Sequence, residues 1–189
     1  MSAMPELAAV ILTGGTASRM GGTDKAALEY AGRSLLERAL AAVADAGRTV
    51  VVGPPQETSR PVTFVREDPP LGGPAAGLLA GVDALPTDSS VVVLAVDMPL
   101  VDARTVARLL AAATGHDGAF LVGPDGRRQL AGVLTRAAVE RARPERGAEA
   151  GLPMHRLLSG LDLAEVSAAG GEARDVDTWD DYSGLPPDA

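Results

Sequence analysis

A Rossmann-like α/β fold, a three-layer sandwich with a mostly parallel sheet and at least one antiparallel strand, is predicted by three features of this 189-residue sequence. Short apolar runs alternate with amphipathic stretches through the first two thirds of the chain. One run, Val91 to Val96, is apolar throughout, as in parallel strands covered on both faces. Polar residues suited to chemistry follow directly after these runs, where parallel sheets bind their ligands.

Leu7 to Leu12 enters a glycine-rich segment and reads as a buried strand. Ser34 to Ala46 has helical spacing, with Leu35, Leu36, Ala39, Leu40 and Val43 on one face. Ser34 is placed to cap it and Glu37 to complete a capping box. Gly47 ends that helix, and Thr49 to Gly53 and Val62 to Val65 read as strands. Pro74 to Leu85 is a helix, as is Asp102 to Ala113 with Asp102 at its cap. The rhythm then changes. Gly118 to Val122 and Gln129 to Leu134 flank Pro124-Asp125-Gly126 and read as a hairpin, the source of the antiparallel strand. Helices near Arg136 to Arg143 and Leu152 to Leu158, a polar loop from Pro144 to Gly151, and a strand from Leu163 to Val166 follow. A last helix begins at Thr178-Trp179-Asp180-Asp181, and residues 185–189 read as a frayed tail. With no repeat and no composition break, the expectation is one domain over 1–189.

Composition narrows the function. Hydrophobic residues make up 46% of the chain and aromatics only 3%, so Ala, Leu and Val must build the core. The absence of cysteine removes disulfides and thiolate metal sites. The N-terminal residues lack a basic start and a long apolar run, which points to the cytoplasm. A net charge of −8 disfavours nucleic acid and anionic membrane as main partners, but allows an anionic small molecule held by locally gathered positive charge.

Positive charge is gathered at one place in particular. Of 17 basic residues only Lys25 is a lysine, and it closes the run Gly14-Gly15-Thr16-Ala17-Ser18-Arg19-Met20-Gly21-Gly22-Thr23-Asp24-Lys25. Codon bias accounts for the scarcity of lysine but not for this position. The run is not a Walker A motif, since Thr23-Asp24 separate Gly22 from Lys25, nor a dinucleotide fingerprint. Glycine backbone N–H groups can cradle phosphate, Arg19 can contact it with two donors, and Lys25 supplies a compact charge. A structural turn carrying two incidental cations is the alternative. Asp97 follows the apolar Val91 to Val96 run, where a hard oxygen ligand suits Mg²⁺; a turn or cap residue has the same local appearance. Alternation places Asp175 and Asp177 on one face, as a metal site or a solvated surface requires. Asp68, in the rigid Arg66 to Gly77 segment, can accept hydrogen bonds from a base or ribose, or belong to an ordinary turn.

Together these segments resemble the MobA-type nucleotidylyltransferases, the molybdenum cofactor guanylyltransferases. The resemblance rests on Leu12-Thr13-Gly14-Gly15 through Lys25, then Glu67-Asp68, Gly73-Pro74-Ala75-Ala76-Gly77, Val96-Asp97-Met98-Pro99 and Asp175-Val176-Asp177-Thr178, in that order. It implies GMP transfer from GTP to molybdenum-bearing molybdopterin, with release of pyrophosphate. Leu12, Thr13, Gly14, Gly15, Lys25, Gly53, Asp68 and Asp97 would contact the nucleotide, Asp97 and Asp177 would hold Mg²⁺, and Lys25, Arg19 and Asp97 would carry catalysis. Gly14-Gly15 and the Gly73 to Gly77 turn favour GTP over CTP by the same resemblance. Two departures stand out. Gly53 replaces an asparagine of many guanylyl members, and Asp175-Val176-Asp177-Thr178-Trp179 replaces the Asn-x-Asn-Thr-Pro of several members. Arg127-Arg128-Gln129 and His155-Arg156 are candidates for the acceptor side or ordinary surface, while His116 and His155 have no required chemical role. A CTP-dependent relative, a different phosphorylated acceptor, or a non-catalytic nucleotide-binding module delivering cofactor to a protein partner are the alternatives.

Overall fold

The computed structural model describes residues 6–14, 20–68, 70, 72–87, 89–145 and 147–187. Its centre is a seven-stranded sheet built from β1 (Glu6–Leu12), β4 (Arg48–Val52), β5 (Thr63–Val65), β6 (Ser89–Ala95), β7 (Gly118–Val122), β8 (Arg128–Thr135) and β9 (Leu163–Ser167). The strand order is β5-β4-β1-β6-β8-β7-β9. Pairings of β1 with β4 and β6, of β4 with β5 and of β7 with β9 are parallel. Only β8 runs against its neighbours, pairing antiparallel with β6 and β7. The hairpin predicted around Asp125 therefore supplies the single reversed strand.

Alternation along β1 explains the layers. Ala9 and Ile11 point into one core with α1 (Leu35–Ala42) and α3 (Ala103–Ala112), while Ala8, Val10 and Leu12 point into the other. That second core is covered by α2 (Pro74–Asp83), α4 (Arg136–Ala142) and α5 (Met154–Leu157). A strand buried on both faces must be apolar at every position, which is why the central runs lack polar alternation.

Several expected elements shift. The first long helix stops at Ala42 rather than Ala46. Its Ser34 cap forms, accepting from the Glu37 backbone N–H at 3.1 Å. The Glu37 carboxylate instead accepts from Ser59, through its N–H at 2.7 Å and its hydroxyl at 2.5 Å, tying α1 to the β4–β5 connection. Two short strands, β2 (Glu29–Tyr30) and β3 (Arg33–Ser34), form a hairpin that the sequence pattern did not reveal, because two-residue strands carry no measurable periodicity. The tail expected to fray is held as far as Pro186. Tyr30 donates its hydroxyl to the Pro186 carbonyl, and Tyr182, in α6 (Trp179–Ser183), donates to the Glu29 carbonyl. Among the described residues no helix is long and apolar enough to cross a membrane.

β1, β4 and β6 end level: Leu12 pairs with Val52 on one side and Ala95 on the other. From β1 the chain's connections go outward to β4 and β5 and then return across to β6. The crevice between β1 and β6 is thus the topological switch point, the position at which open α/β sheets bind ligands. Thr13, Gly53 and Asp97 emerge just beyond these three strand ends.

Candidate active site

A cleft of about 240 Å³ opens at this switch point, lined by Leu12, Thr13, Gly14, Lys25, Pro74, Val96, Asp97, Gln129 and Asp175 among others. Its walls come from both ends of the chain and from the reversed strand. Gly15 and Arg19 lie outside the described residues, so the loop is followed here at Gly14 and again from Met20.

Lys25 opens a single turn of 3₁₀ helix, Lys25–Ala27. Asp24 caps that turn, accepting from the Ala26 N–H at 3.0 Å, and also accepts from Gln56 Nε2 at 2.7 Å. The Thr23-Asp24 pair that breaks a Walker A motif therefore has a structural purpose: Asp24 fixes the direction in which Lys25 leaves the backbone. Gly21 (φ 68°) and Gly22 (φ 80°) lie in left-handed conformations just before it, which only glycine adopts without strain. Ala26 is fully buried beneath the turn.

The Lys25 ammonium does not stand free in the cleft. Nζ donates to Asp177 Oδ1 at 2.5 Å and to Asp97 Oδ2 at 3.2 Å, with 10% of the side chain exposed. The ammonium is thus joined to a carboxylate 152 positions away in sequence. Burial pulls the Lys25 pKa down, but the hydrogen bond to Asp177 and the charges of both carboxylates outweigh it and hold the pKa above its ordinary value. Asp97 shows the opposite balance. Its burial, only partly offset by Lys25 and reinforced by the negative charges of Asp177 and Asp175, raises its pKa.

Asp175 and Asp177 do share a face: Asp175 lines the cleft and Asp177 reaches Lys25, while Val176 between them is fully buried. Val176 donates its N–H to the Asp97 carbonyl at 2.8 Å and packs on Met20. The glycine-rich loop and the late acidic segment, the first and last motifs of the sequence, are thereby packed against each other. Thr178 caps α6 with Asp181 in a reciprocal capping box, ending the extended segment immediately after Asp177.

Whether these residues suit Mg²⁺ can be judged from the donor set. Asp97 and Asp177 offer hard oxygens that already converge on one cation, the lysine ammonium. Among the described residues no cluster of three or more His, Cys, Asp or Glu is placed to hold a metal. Two carboxylates suit Mg²⁺, which is ordinarily held by one or two carboxylates together with substrate phosphates and water. They fit a metal that arrives with a nucleotide better than one held permanently.

Other expected contacts divide. Leu12, Thr13 and Gly14 line the cleft. Asp68 is exposed on the loop after β5 and is not among the cleft-lining residues. Gly53 is explained by a neighbour. Thr13 donates its hydroxyl to the Val52 carbonyl at 2.9 Å, and a Cβ built on Gly53 would lie 1.9 Å from that hydroxyl oxygen. Its φ of 156° adds to the demand for glycine. The asparagine of many guanylyl members cannot be accommodated here while Thr13 keeps this rotamer. Gly53→Asn should lower Tm by about 2–10 °C through overpacking, and Thr13→Ala in the same chain should recover part of the loss, as thermal denaturation can show.

Gln129 at the start of β8 lines the cleft, whereas Arg128 beside it lies over the Phe120 ring and His155 is exposed on α5. His116 is on the surface beside Asp162. Pro74, from the Gly73 to Gly77 turn, and Gln129, from the Arg127-Arg128-Gln129 group, thus both reach the cleft, while Ala95 and Leu130 line it without a chemical signal of their own in the sequence.

Comparison with known proteins places this geometry in a family. A model of the MobA-like NTP transferase domain matches residues 9–165. The molybdenum cofactor guanylyltransferase of Shewanella loihica is 33% identical over 135 residues, covering 69% of this chain and 68% of that protein. In structure, the molybdopterin-guanine dinucleotide biosynthesis protein A of Archaeoglobus fulgidus superposes with a TM-score of 0.70 at 20% identity, covering 94% of this chain and 95% of that one. The complex of Rv0371C from Mycobacterium tuberculosis H37Rv with manganese superposes with a TM-score of 0.67 at 21% identity, covering 95% and 96% of the two chains.

Proposed function

Because the chain belongs to the MobA-like NTP transferase family, we propose that it transfers GMP from GTP to the terminal phosphate of molybdenum-bearing molybdopterin, releasing pyrophosphate with the help of Mg²⁺. The observation that carries the reading is the convergence of Asp97 and Asp177 on Lys25 at the switch point of the sheet. Curated relatives that are 33% identical to it over 134 to 135 residues are molybdenum cofactor guanylyltransferases. Gly14 and the Gly73-Pro74 turn, with Pro74 in the cleft wall, agree with the guanylyl pattern.

A phosphate oxygen of the acceptor attacks the α-phosphorus of GTP. The bond from that phosphorus to the bridging oxygen breaks, and pyrophosphate leaves with the bonding electrons. The acceptor phosphate is already ionised, so no histidine or serine has to activate it. Catalysis then rests on positioning and charge neutralisation. Asp97 and Asp177 would hold Mg²⁺, which polarises phosphoryl oxygens when bound; a neighbour of the same fold forms a complex with manganese. Lys25, held in its charged form, offsets the negative charge that develops toward the leaving pyrophosphate. Arg19 is assigned the same task from sequence, and Leu12, Thr13 and Gly14 the floor of the nucleotide site. The cytoplasm, where GTP is available, is the proposed location, and proteins that receive the finished cofactor are the proposed partners.

Pyrophosphate release across GTP, CTP and ATP, with and without molybdenum-bearing molybdopterin, tests the reading. Release is expected with GTP, Mg²⁺ and acceptor together, at least about tenfold above the other nucleotides, a margin of roughly 1.4 kcal/mol. A preference for CTP overturns the base assignment. Binding of GTP without any release overturns the catalytic one.

A further inference from the structure

We propose that Glu172 is a positioning residue, which holds the two carboxylate-bearing segments in the register that lets Asp97 and Asp177 act on the same cation. This rests on the proposed metal and nucleotide site.

Asp177 is delivered by a segment, 168–177, that belongs to no strand or helix, so its register needs fixing by other means. One tie is internal, the Val176 N–H donated to the Asp97 carbonyl at 2.8 Å. The second lies on the outer side, three residues before Asp175. Glu172 Oε1 accepts from the Thr105 hydroxyl at 2.6 Å, and Oε2 accepts from Arg108 at 2.7 Å and from the Ala169 N–H at 2.7 Å. Only 13% of the Glu172 side chain is exposed and Thr105 is fully buried. A carboxylate this enclosed stays in place only with its oxygens satisfied, and here one is held by a charged donor.

Thr105 connects this outer tie to the segment that follows Asp97. Its hydroxyl oxygen also receives the Asp102 N–H at 3.4 Å, in the capping box that starts α3. A hydroxyl has one proton, and the 2.6 Å contact to Glu172 claims it over the 3.2 Å approach to Asp102 Oδ1. Asp102 still accepts from the Arg104 and Thr105 N–H groups at 2.9 Å, so the cap survives. Gly171 packs so closely on Leu100 that an added Cβ would lie 2.7 Å from its Cδ1. Residues 97–105 and 169–177 are therefore fastened at Val176 and again at Glu172, with Asp175 between these points and Asp177 directly after Val176. A single fastening is a pivot. Two fix the orientation of the segment.

Glu172 is neither a hydrogen-bond partner of the Lys25 ammonium nor part of the cleft lining, so it acts there through this segment. Its loss should alter how readily the carboxylates gather a cation more than it alters the chemistry once they have done so. Glu172→Ala is expected to raise the Mg²⁺ or Mn²⁺ concentration for half-maximal GMP transfer by about tenfold or more, the range found when groups supporting metal ligands are removed. The rate at saturating metal should stay within about threefold of wild type. Glu172→Gln keeps an oxygen for Thr105 and should fall between the two.

Amide hydrogen exchange gives a readout independent of activity. In Glu172→Ala the Val176 N–H should exchange at least about tenfold faster, while amides in the middle of β1 and β6 keep their protection. Unchanged Val176 exchange overturns the proposal, even if activity falls. Equal loss of rate at all metal concentrations, in step with a loss of folded protein, also overturns it. Wild-type protein that transfers no nucleotide sinks the functional reading instead, and the Val176 exchange rate then still decides whether Glu172 holds the segment.

Discussion

Asp97→Asn is expected to lose GMP transfer by about 10³-fold, on the order of 4 kcal/mol of transition-state stabilisation, while the protein becomes no less stable at neutral pH. Asparagine keeps the shape and one oxygen but not the charge that would hold Mg²⁺. Burial makes the Asp97 charge costly, because Lys25 only partly compensates the surrounding desolvation and the nearby Asp175 and Asp177. Removing a charge that the fold does not favour relieves that cost, a familiar opposition of stability and function. Turnover near the wild-type level in Asp97→Asn would remove it from the catalytic set. A large drop in Tm would show that its ionised form supports the fold.

The same raised pKa sets a pH dependence. The folded state holds the Asp97 proton more tightly than the unfolded chain does. The resulting stability is fully present below the unfolded value and is lost as pH rises through the folded one. Activity moves oppositely, since only the ionised form ligates a cation. At low Mg²⁺ the acid limb of the rate profile should lie above the ordinary aspartate value of about 3.9, and it should move to lower pH as Mg²⁺ is raised and competes with the proton. An acid limb that ignores Mg²⁺ concentration contradicts this assignment.

Lys25→Arg should reduce turnover by about 10²-fold despite conserving the charge, a cost of roughly 2.7 kcal/mol. Nζ fits between two carboxylates at 2.5 and 3.2 Å on a side chain that is almost enclosed, and a planar guanidinium fork is wider than the space this leaves. Normal turnover in Lys25→Arg means that the survival of lysine here has no catalytic meaning. Lys25→Ala should be inactive and destabilised by about 1–2 kcal/mol, below the cost for a deeply buried pair because both carboxylates reach solvent. Asp97 and Asp177 then face each other without the ammonium. Added Mg²⁺ should consequently raise Tm more in Lys25→Ala than in wild type, where the cation competes with Lys25 for the same two oxygens.

The layered architecture was legible because burial on both faces of a strand leaves an unmistakable pattern, as in Val91 to Val96. The Asp102, Thr135 and Thr178 caps form locally, and the first and last of these could be placed by residue type and spacing. The β2–β3 hairpin left no trace because two-residue strands carry no periodicity, and the fastening of the tail by Tyr30 and Tyr182 left none because those side chains meet partners far along the chain. Asp68 could be named from sequence but not placed in the cleft, because a rigid turn reveals its shape and not its direction.

By itself the sequence singled out the side chains proposed to carry the chemistry: a lone lysine after a glycine run, an aspartate at the end of an apolar strand, and a late pair of aspartates. Residue type and local spacing suffice for that. Only the tertiary structure decided that these groups neutralise one another, that Thr13 excludes a side chain at Gly53, and that Glu172 fastens the segment bearing Asp177. Those relations are set by distances across the fold, and charges separated by 152 positions in sequence have no interaction until folding brings them within 3 Å.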